Sequence, residues 1–261
     1  MPISTSNTAR LPGFAFTFSR FCVDLARTPE EKELCFAMRH EVFLDEMLGR
    51  SRADGRESDD FDASCEHLLV RLASTDEPVG TCRLACSLWA GRSYTAGEFI
   101  LGGFPALPGV KVEVGRTCLR RSHRNNLALV ALGHGVGAFA RAVGARWLFG
   151  CSSLPAAHPR RIAALAARFA ADGRTKKSCG VIPRTLFRDV AVTQALVDRI
   201  APADDAEVEA LLPPLLRIYV LAGAAVSAEP ALDRDFGCYD FFTLLDLQNH
   251  NSLFLGRFAP C

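Results

Sequence analysis

Val110-Lys111-Val112-Glu113-Val114-Gly115-Arg116 is the stretch that decides the architecture. Period-two alternation sets Val110, Val112 and Val114 on one face of a strand and Lys111, Glu113 and Gly115 on the other. A carboxylate in mid-strand, beside a glycine that leaves the backbone bare, suits a cleft rather than a second core. There Glu113 can take a proton from an attacking amine, directly or through a water. The plain alternative is an exposed strand face carrying a Lys–Glu pair.

Immediately downstream runs Arg120-Arg121-Ser122-His123-Arg124-Asn125-Asn126, which leads into an Ala/Leu/Gly-rich helix from Leu127 to Val143. Arg120, Arg121 and Arg124 before a helix start, with Asn125 or Asn126 as cap, make a good anion site. Guanidinium groups and backbone donors there suit a pyrophosphate or a phosphopantetheine arm. A solvated basic turn is the other reading. Upstream, Glu57-Ser58-Asp59-Asp60-Phe61-Asp62 gathers acids that either bind a cationic substrate, support the site, or solvate a loop. The spacing does not fit an EF-hand, and no metal site is expected.

The rest of the chain supplies strands and helices around this centre. Phe14 to Val23 alternates as a strand, and Thr28-Pro29-Glu30-Glu31 is a capping box with proline at the first helical position. The helix it opens carries Leu34, Met38 and Val42 on one face. Gly49 to Asp60 reads as too charged to bury. His67 to Ala73 and Val79 to Cys86 form a hairpin. Trp147 to Ser152 is a buried strand, His158 to Ala171 a helix, 172–210 irregular, Pro214 to Ala222 a helix and Tyr239 to Leu247 a last strand. The expected class is α/β, a mixed sheet flanked by helices. Residues 1–19 form a flexible tail and 20–261 one domain, with a helical insertion at about 155–212.

Composition narrows the function. Of 261 residues, 49% are hydrophobic and 23% charged, so a core is assured, and a net charge of +1 gives no bias towards nucleic acid. Ten cysteines stand singly with no CxxC pair, which points to reduced thiols in a cytoplasmic protein and to neither zinc nor redox chemistry. No apolar run approaches the roughly 18 residues of a membrane span.

An ordered set of segments then carries a family likeness. Arg39-His40-Glu41-Val42-Phe43, Phe61-Asp62 with Cys65 and His67-Leu68, and Gly80-Thr81-Cys82-Arg83-Leu84 make its first half. Tyr94 with Glu98-Phe99, Glu113 to Cys118, Phe149-Gly150-Cys151-Ser152, Leu212 to Arg217 with Tyr219, and Ala231 with Asp233 and Phe236 follow. In this order, over residues 20–247, the chain resembles the bacterial ornithine N-acyltransferases, whose relatives are often labelled hemolysin-like. The same frame is similar to acyl-homoserine-lactone synthases, with Arg39, Phe43, Asp59, Asp62, Arg83, Glu113 and Arg116 at their signature positions. It departs at Ile218, where the ornithine enzymes have glycine, and in a phosphate loop without the glycines of acetyl-CoA-using relatives.

The resemblance implies a GNAT-like N-acyltransferase fold with a mixed, mostly antiparallel sheet. It implies an enzyme that moves a 3-hydroxyacyl group from acyl carrier protein to the α-amine of L-ornithine, with no bound cofactor. Glu113 is then the base, and Tyr219 either protonates the leaving thiolate or is a packed tyrosine. Arg39, Arg83, Arg116, Asp59 and Asp62 form a buried charge network that shapes the site. Arg120, Arg121, Arg124, Asn125 and Asn126 receive the phosphopantetheine and the acidic carrier protein. The lipid product implies peripheral contact at the inner face of the membrane. Another amino-acid acceptor, a homoserine-lactone synthase, and a non-catalytic acyl-carrier or lipid-binding module are the alternatives.

Overall fold

A computed structural model describes residues 14–124 and 126–249. Eleven strands are present among them: β1 (Phe16–Phe18), β2 (Phe21–Leu25), β3 (Glu66–Leu72), β4 (Pro78–Cys86), β5 (Phe99–Ile100), β6 (Val110–Leu119), β7 (Ala145–Pro155), β8 (Ile182–Pro183), β9 (Ala225–Val226), β10 (Ala231–Asp233) and β11 (Cys238–Asp246). The helices are α1 (Pro29–Arg39), α2 (Thr95–Glu98), α3 (Asn126–Ala142), α4 (Pro159–Ala171), α5 (Val190–Val197), α6 (Asp205–Leu211) and α7 (Pro214–Leu221). Residues group into two compact units, 14–91 with 112–145 and 92–111 with 146–249, where the sequence offers no linker and reads as one domain. Of the expected tail, residues 1–13 lie outside the described residues, and Phe16–Phe18 pair with β2.

In the first unit β1, β2, β3, β4 and β6 form an antiparallel sheet. Its two faces are covered differently. Val23, Leu68 and Val70 share one face, where α3 comes so close that a Cβ on Gly135 would stand 2.8 Å from Val23 and 3.0 Å from Leu68. On the opposite face Leu69 packs with Ala26 against Cys35 and Met38 of α1. The capping box starts α1 as read: the Thr28 hydroxyl accepts from the Glu31 N–H, and Glu31 accepts from the Thr28 N–H at 3.1 Å. The inner stripe keeps Met38 and Val42 as expected but not Leu34. Leu34 is 38% exposed, while Cys35, Met38, Arg39 and Val42 are buried. Their spacing of three, four and seven is a helix face, but it contains an arginine, which an apolar pattern does not credit. After Arg39 the helix widens into a π-helical stretch, His40–Met47, a feature frequent at functional sites.

In the second unit β11 pairs with β7, β10 and β9, all antiparallel, and β5 pairs with β8. Alternation along β11 buries both faces. Phe241 packs with Ile162, Leu165, Phe169 and Leu216 of α4 and α7, while Phe242 packs with Phe99, Phe104 and Phe149. Residues 172–210, read as irregular, contain β8, α5 and all but the last residue of α6. Both helices are short and are held by aspartate caps: Asp189 accepts from Ala191 and Val192, and Asp204 from Glu207.

Candidate active site

The centre of the first unit is a closed set of three arginines and three carboxylates. Arg39 donates to Glu57 through Nε at 2.5 Å and to Asp62 through Nη1 at 2.8 Å. Arg83 Nη1 reaches Asp59 at 2.6 Å and Asp62 at 3.1 Å. Arg116 closes the circuit, with Nε 3.2 Å from Glu57 and Nη2 3.1 Å from Asp59. Arg39, Arg83, Glu57 and Asp62 are each less than a tenth exposed. Charges so buried are tolerable only when paired, and here three positive charges meet three negative ones.

Three local devices build this circuit. Helix α1 brings in Arg39 on its inner stripe. The loop before β3 turns its acids inwards, with Asp62 accepting the Asp59 N–H at 2.8 Å and Asp59 accepting the Phe61 N–H at 2.9 Å. The third device is a bulge: Thr81 faces Cys118 and Arg83 faces Gly115, so Arg116 and Thr117 together oppose Cys82. Arg116 takes the left-handed conformation at φ +50°. Strict alternation would send the Arg116 side chain to the face opposite Gly115; the bulge returns it to the circuit.

Electrostatics follow from the pairing. Burial alone would raise Asp62, but the bond and charge of Arg39, the Asp59 N–H and Arg83 outweigh it and hold the carboxyl at about 2. The same balance, with Arg83 as chief partner, lowers Asp59. Next to Asp62, 3.9 Å away, His67 is fully buried, and that burial lowers it to about 4, so it is neutral at pH 7.

Glu113 stands beside the circuit. It faces Ala85 on β4, and Arg83 faces Gly115, so Glu113 and Arg83 are diagonal neighbours on one face of the sheet. It is 6% exposed, which excludes the exposed Lys–Glu face. The Cys65 thiol, pushed up to about 12 chiefly by burial, also feels the charges of Asp62, Glu113 and Asp59.

The basic turn is less open than its sequence suggests. Arg120 pairs with Glu41 at 3.0 Å and Glu77 at 3.7 Å, and Arg124 pairs with Glu46 at 2.5 Å. Arg121 is exposed. Asn125 lies outside the described residues, and α3 begins at Asn126. Tyr219 is half-buried on α7, in the second unit.

Two groups lie outside the residues the sequence assigned to the site. Glu57, read only as one of a cluster of acids that bind a substrate, support the site or solvate a loop, belongs to the circuit, although Gly49 to Asp60 reads as too charged to bury. Its signal was the acid cluster itself, which needed three cations distant in sequence to become buriable. The second unit also holds Glu98, Asp233 and Asp240, all buried, and among the described residues none of them makes an ion pair. Burial is the largest cause raising both Glu98 and Asp240, and each adds to the other's electrostatic surroundings. The Cys151 thiol donates to Glu98 at 3.4 Å. Donor atoms of Asp233, Cys238 and Asp240 lie within 4.8 Å of one another. Yet Asp233 Oδ1 already accepts the Asp235 and Phe236 N–H groups, and burial holds the Cys238 thiol protonated. Thiolate, not thiol, binds metal.

Residues 38–134 match the model of the acetyltransferase (GNAT) domain, a span that begins at the end of α1, takes in the circuit and Glu113, and ends within α3. Over 252 residues the chain is 29% identical to an L-ornithine N(alpha)-acyltransferase of Rhizobium meliloti (strain 1021), covering 90% of this chain and 83% of that one. A protein of the same description from Brucella abortus (strain 2308) is 26% identical over 91% of this chain and 88% of its own length. Among solved structures, the acyl-homoserine lactone synthase LasI superposes with a TM-score of 0.51 at 11% identity, over 94% of this chain and 98% of that one. The CoA-dependent acyl-homoserine lactone synthase BjaI, solved with MTA, also gives 0.51, at 16% identity over 89% and 84%. The fold is that of the GNAT acyltransferases, with its mostly antiparallel sheet flanked by helices. No helix among the described residues is long and apolar enough to cross a membrane.

Proposed function

We infer that this GNAT-fold acyltransferase joins an acyl chain to the α-amine of L-ornithine, forming the amide of a lyso-ornithine lipid. The acceptor is supported by similarity to ornithine acyltransferases along nine-tenths of the chain. The observation that carries the chemistry is Glu113: a carboxylate in mid-strand, 6% exposed, diagonal to Arg83. An α-amine has a pKa of about 8, so at pH 7 it is mostly protonated and must lose a proton before attack. Glu113 takes that proton, directly or through one water. The amine then attacks the thioester carbonyl; the tetrahedral adduct gives its surplus N–H proton to water and collapses with cleavage of the C–S bond, and the thiolate leaves and is protonated to the free thiol. A backbone N–H of β6 as oxyanion donor would contribute about 3 kcal/mol.

The donor is an acyl chain, 3-hydroxylated by the resemblance, on the phosphopantetheine of acyl carrier protein. Arg121 is the exposed guanidinium at the turn before α3 that meets it. Arg120 and Arg124 would first have to exchange Glu41, Glu77 and Glu46 for the phosphate. The circuit of Arg39, Arg83, Arg116, Glu57, Asp59 and Asp62 fixes the loop and strand that position Glu113. Tyr219, on α7, keeps two readings: an acid for the leaving thiolate, or a packed side chain. With Tyr219→Phe, a fall in kcat at unchanged thermal stability favours the acid, and a loss of stability favours packing.

The test is acylation by the purified protein, with 3-hydroxyacyl carrier protein and L-ornithine, read by mass spectrometry and thiol release. Glu113→Gln should fold like the parent and lose about 10²- to 10⁴-fold in kcat. Turnover by that variant at the parent rate overturns the assignment. A parallel arm with S-adenosylmethionine separates amide formation on ornithine from lactone synthesis.

A further inference from the structure

In the second unit, the turn Thr185–Phe187 and helix α5 carry apolar side chains that nothing covers. Leu186 is 84% exposed, Val190 82% and Val197 69%. Val190 and Val197 are the first and last residues of α5, seven apart and therefore on one face of the helix. Val192, between them, is buried against α4 and α7, so the exposed face is the one turned from the core.

Cations accompany these side chains in the sequence, and Arg184, Arg188 and Arg234 flank the turn itself. The stretch 174–188 holds Arg174, Lys176, Lys177, Arg184 and Arg188 and no acid, in a chain whose net charge is only +1. Arg234 reaches across from the β10–β11 turn, donating to the carbonyls of Leu186 at 2.6 Å and of Arg188 at 3.2 Å. Arg184, Arg188 and Arg234 are all exposed. Among the described residues none of these cations makes an ion pair, whereas Arg39, Arg83, Arg116, Arg120 and Arg124 all do. The neighbouring acids are Asp189, which caps α5 and accepts the Tyr239 hydroxyl, Asp198, which accepts from Gln194, Glu229, which accepts from Thr193, and Asp235 beside Arg234, and among the described residues none of them pairs with these cations. The turn is thus braced from below by Arg234 and Tyr239, and presents a leucine outwards between unneutralised guanidinium groups.

We propose that this surface docks the protein on an anionic lipid bilayer. Leu186 and Val190 enter the headgroup boundary while Arg184 and Arg188 meet lipid phosphates. A bilayer fits better than an acidic protein because the apolar side chains stand more than four-fifths clear of their neighbours. Such projections are convex, and soft lipid can close round them, whereas a protein partner would need a matching pocket for each. The surface is argued from geometry alone; only its use, handing an acylated product to the membrane, rests on the proposed function.

The test is co-sedimentation of the whole protein with phosphatidylcholine vesicles, with and without phosphatidylglycerol, and in a separate arm binding to holo acyl carrier protein. Sedimentation is expected with the phosphatidylglycerol vesicles and should fall as salt rises. Arg184→Glu with Arg188→Glu should weaken it by at least about 20-fold, at roughly fivefold per basic residue. Leu186→Ser with Val190→Ser should weaken it by about tenfold or more. Both variants should keep the parent's circular dichroism and its acylation of soluble substrates. Equal binding to pure phosphatidylcholine, or no vesicle binding at all, overturns the proposal. So does loss of carrier-protein binding in the same variants without any vesicle binding. A protein that binds anionic vesicles but does not acylate ornithine would refute the function and leave this surface standing.

Discussion

Asp62→Asn tests the circuit most directly. The carboxylate takes Arg39 at 2.8 Å and Arg83 at 3.1 Å on one oxygen and the Asp59 N–H on the other. Its shift from an ordinary 3.8 to about 2 is worth about 2.5 kcal/mol of folding stability at neutral pH. Because the folded value is depressed, that contribution is present above pH 3.8 and is lost as pH falls through about 2. Asparagine removes the charge and leaves the buried Arg39 and Arg83, with Arg116, to share Glu57 and Asp59. Breaking a buried pair from one side costs about 3–5 kcal/mol, so the variant should lose that much at pH 7 and melt roughly 10 °C lower. Each unit contains one tryptophan, Trp89 in the first and Trp147 in the second. Urea unfolding in a Trp147→Phe background therefore reads the first unit through Trp89. The gap between parent and variant should narrow by about 2.5 kcal/mol between roughly pH 5 and pH 1. A variant within about 1 kcal/mol of the parent at pH 7, or a gap that does not narrow in acid, refutes a carboxylate held by two guanidinium groups.

Two further outcomes follow from the packing and from the second carboxylate group. Burial raises Glu98, so the stability linked to its protonated form is fully present below the ordinary carboxylate range and is lost as pH rises through the raised value. Glu98→Gln should accordingly melt higher than the parent in alkaline buffer, by about 2–4 °C per kcal/mol recovered, and a parent that is as stable at pH 9 as at pH 5 contradicts this. Gly135→Ala gains about 1 kcal/mol of helix propensity but sets a methyl 2.8 Å from the immobile Val23, so overpacking of about 1–3 kcal/mol should leave a net loss in thermal unfolding. A stabilised variant would mean that α3 is not seated on β2 and β3 as described.

Legibility in the sequence followed the range of the interaction. The capping box at Thr28 to Glu31 and the alternation around Glu113 are local, and the structure contains both. On α1 the expected Met38 and Val42 are buried and Leu34 is not, because the stripe is completed by Cys35 and by Arg39, whose burial depends on Glu57 and Asp62. Those acids sit in a stretch whose density of charge argues for solvent until the cations at 39, 83 and 116 are brought to it. The bulge at Arg116 leaves no trace in residue types, since a positive φ there is normally the place of glycine or asparagine. Glu98, Asp233 and Asp240 are hidden by the same logic, as they come together only when α2, β10 and β11 pack.

Counting arginines is therefore a poor guide to where an acidic or phosphate-bearing partner will bind; counting unneutralised ones is better. The turn before α3 has three arginines, but Glu41, Glu46 and Glu77 already answer two of them. A ligand there must displace carboxylates, which favours a multiply charged phosphate over a diffuse anionic surface. Around Leu186 the balance is reversed, with exposed guanidinium groups that have no carboxylate partner and apolar side chains that have no cover. One pattern suits a ligand that must be recognised and released at each turnover. The other suits a surface on which the whole molecule rests. If mutating Arg121 weakens carrier-protein binding and leaves vesicle binding intact, while mutating Arg188 does the opposite, the two basic regions are separate devices, and the same change in both assays from either variant would collapse them into one.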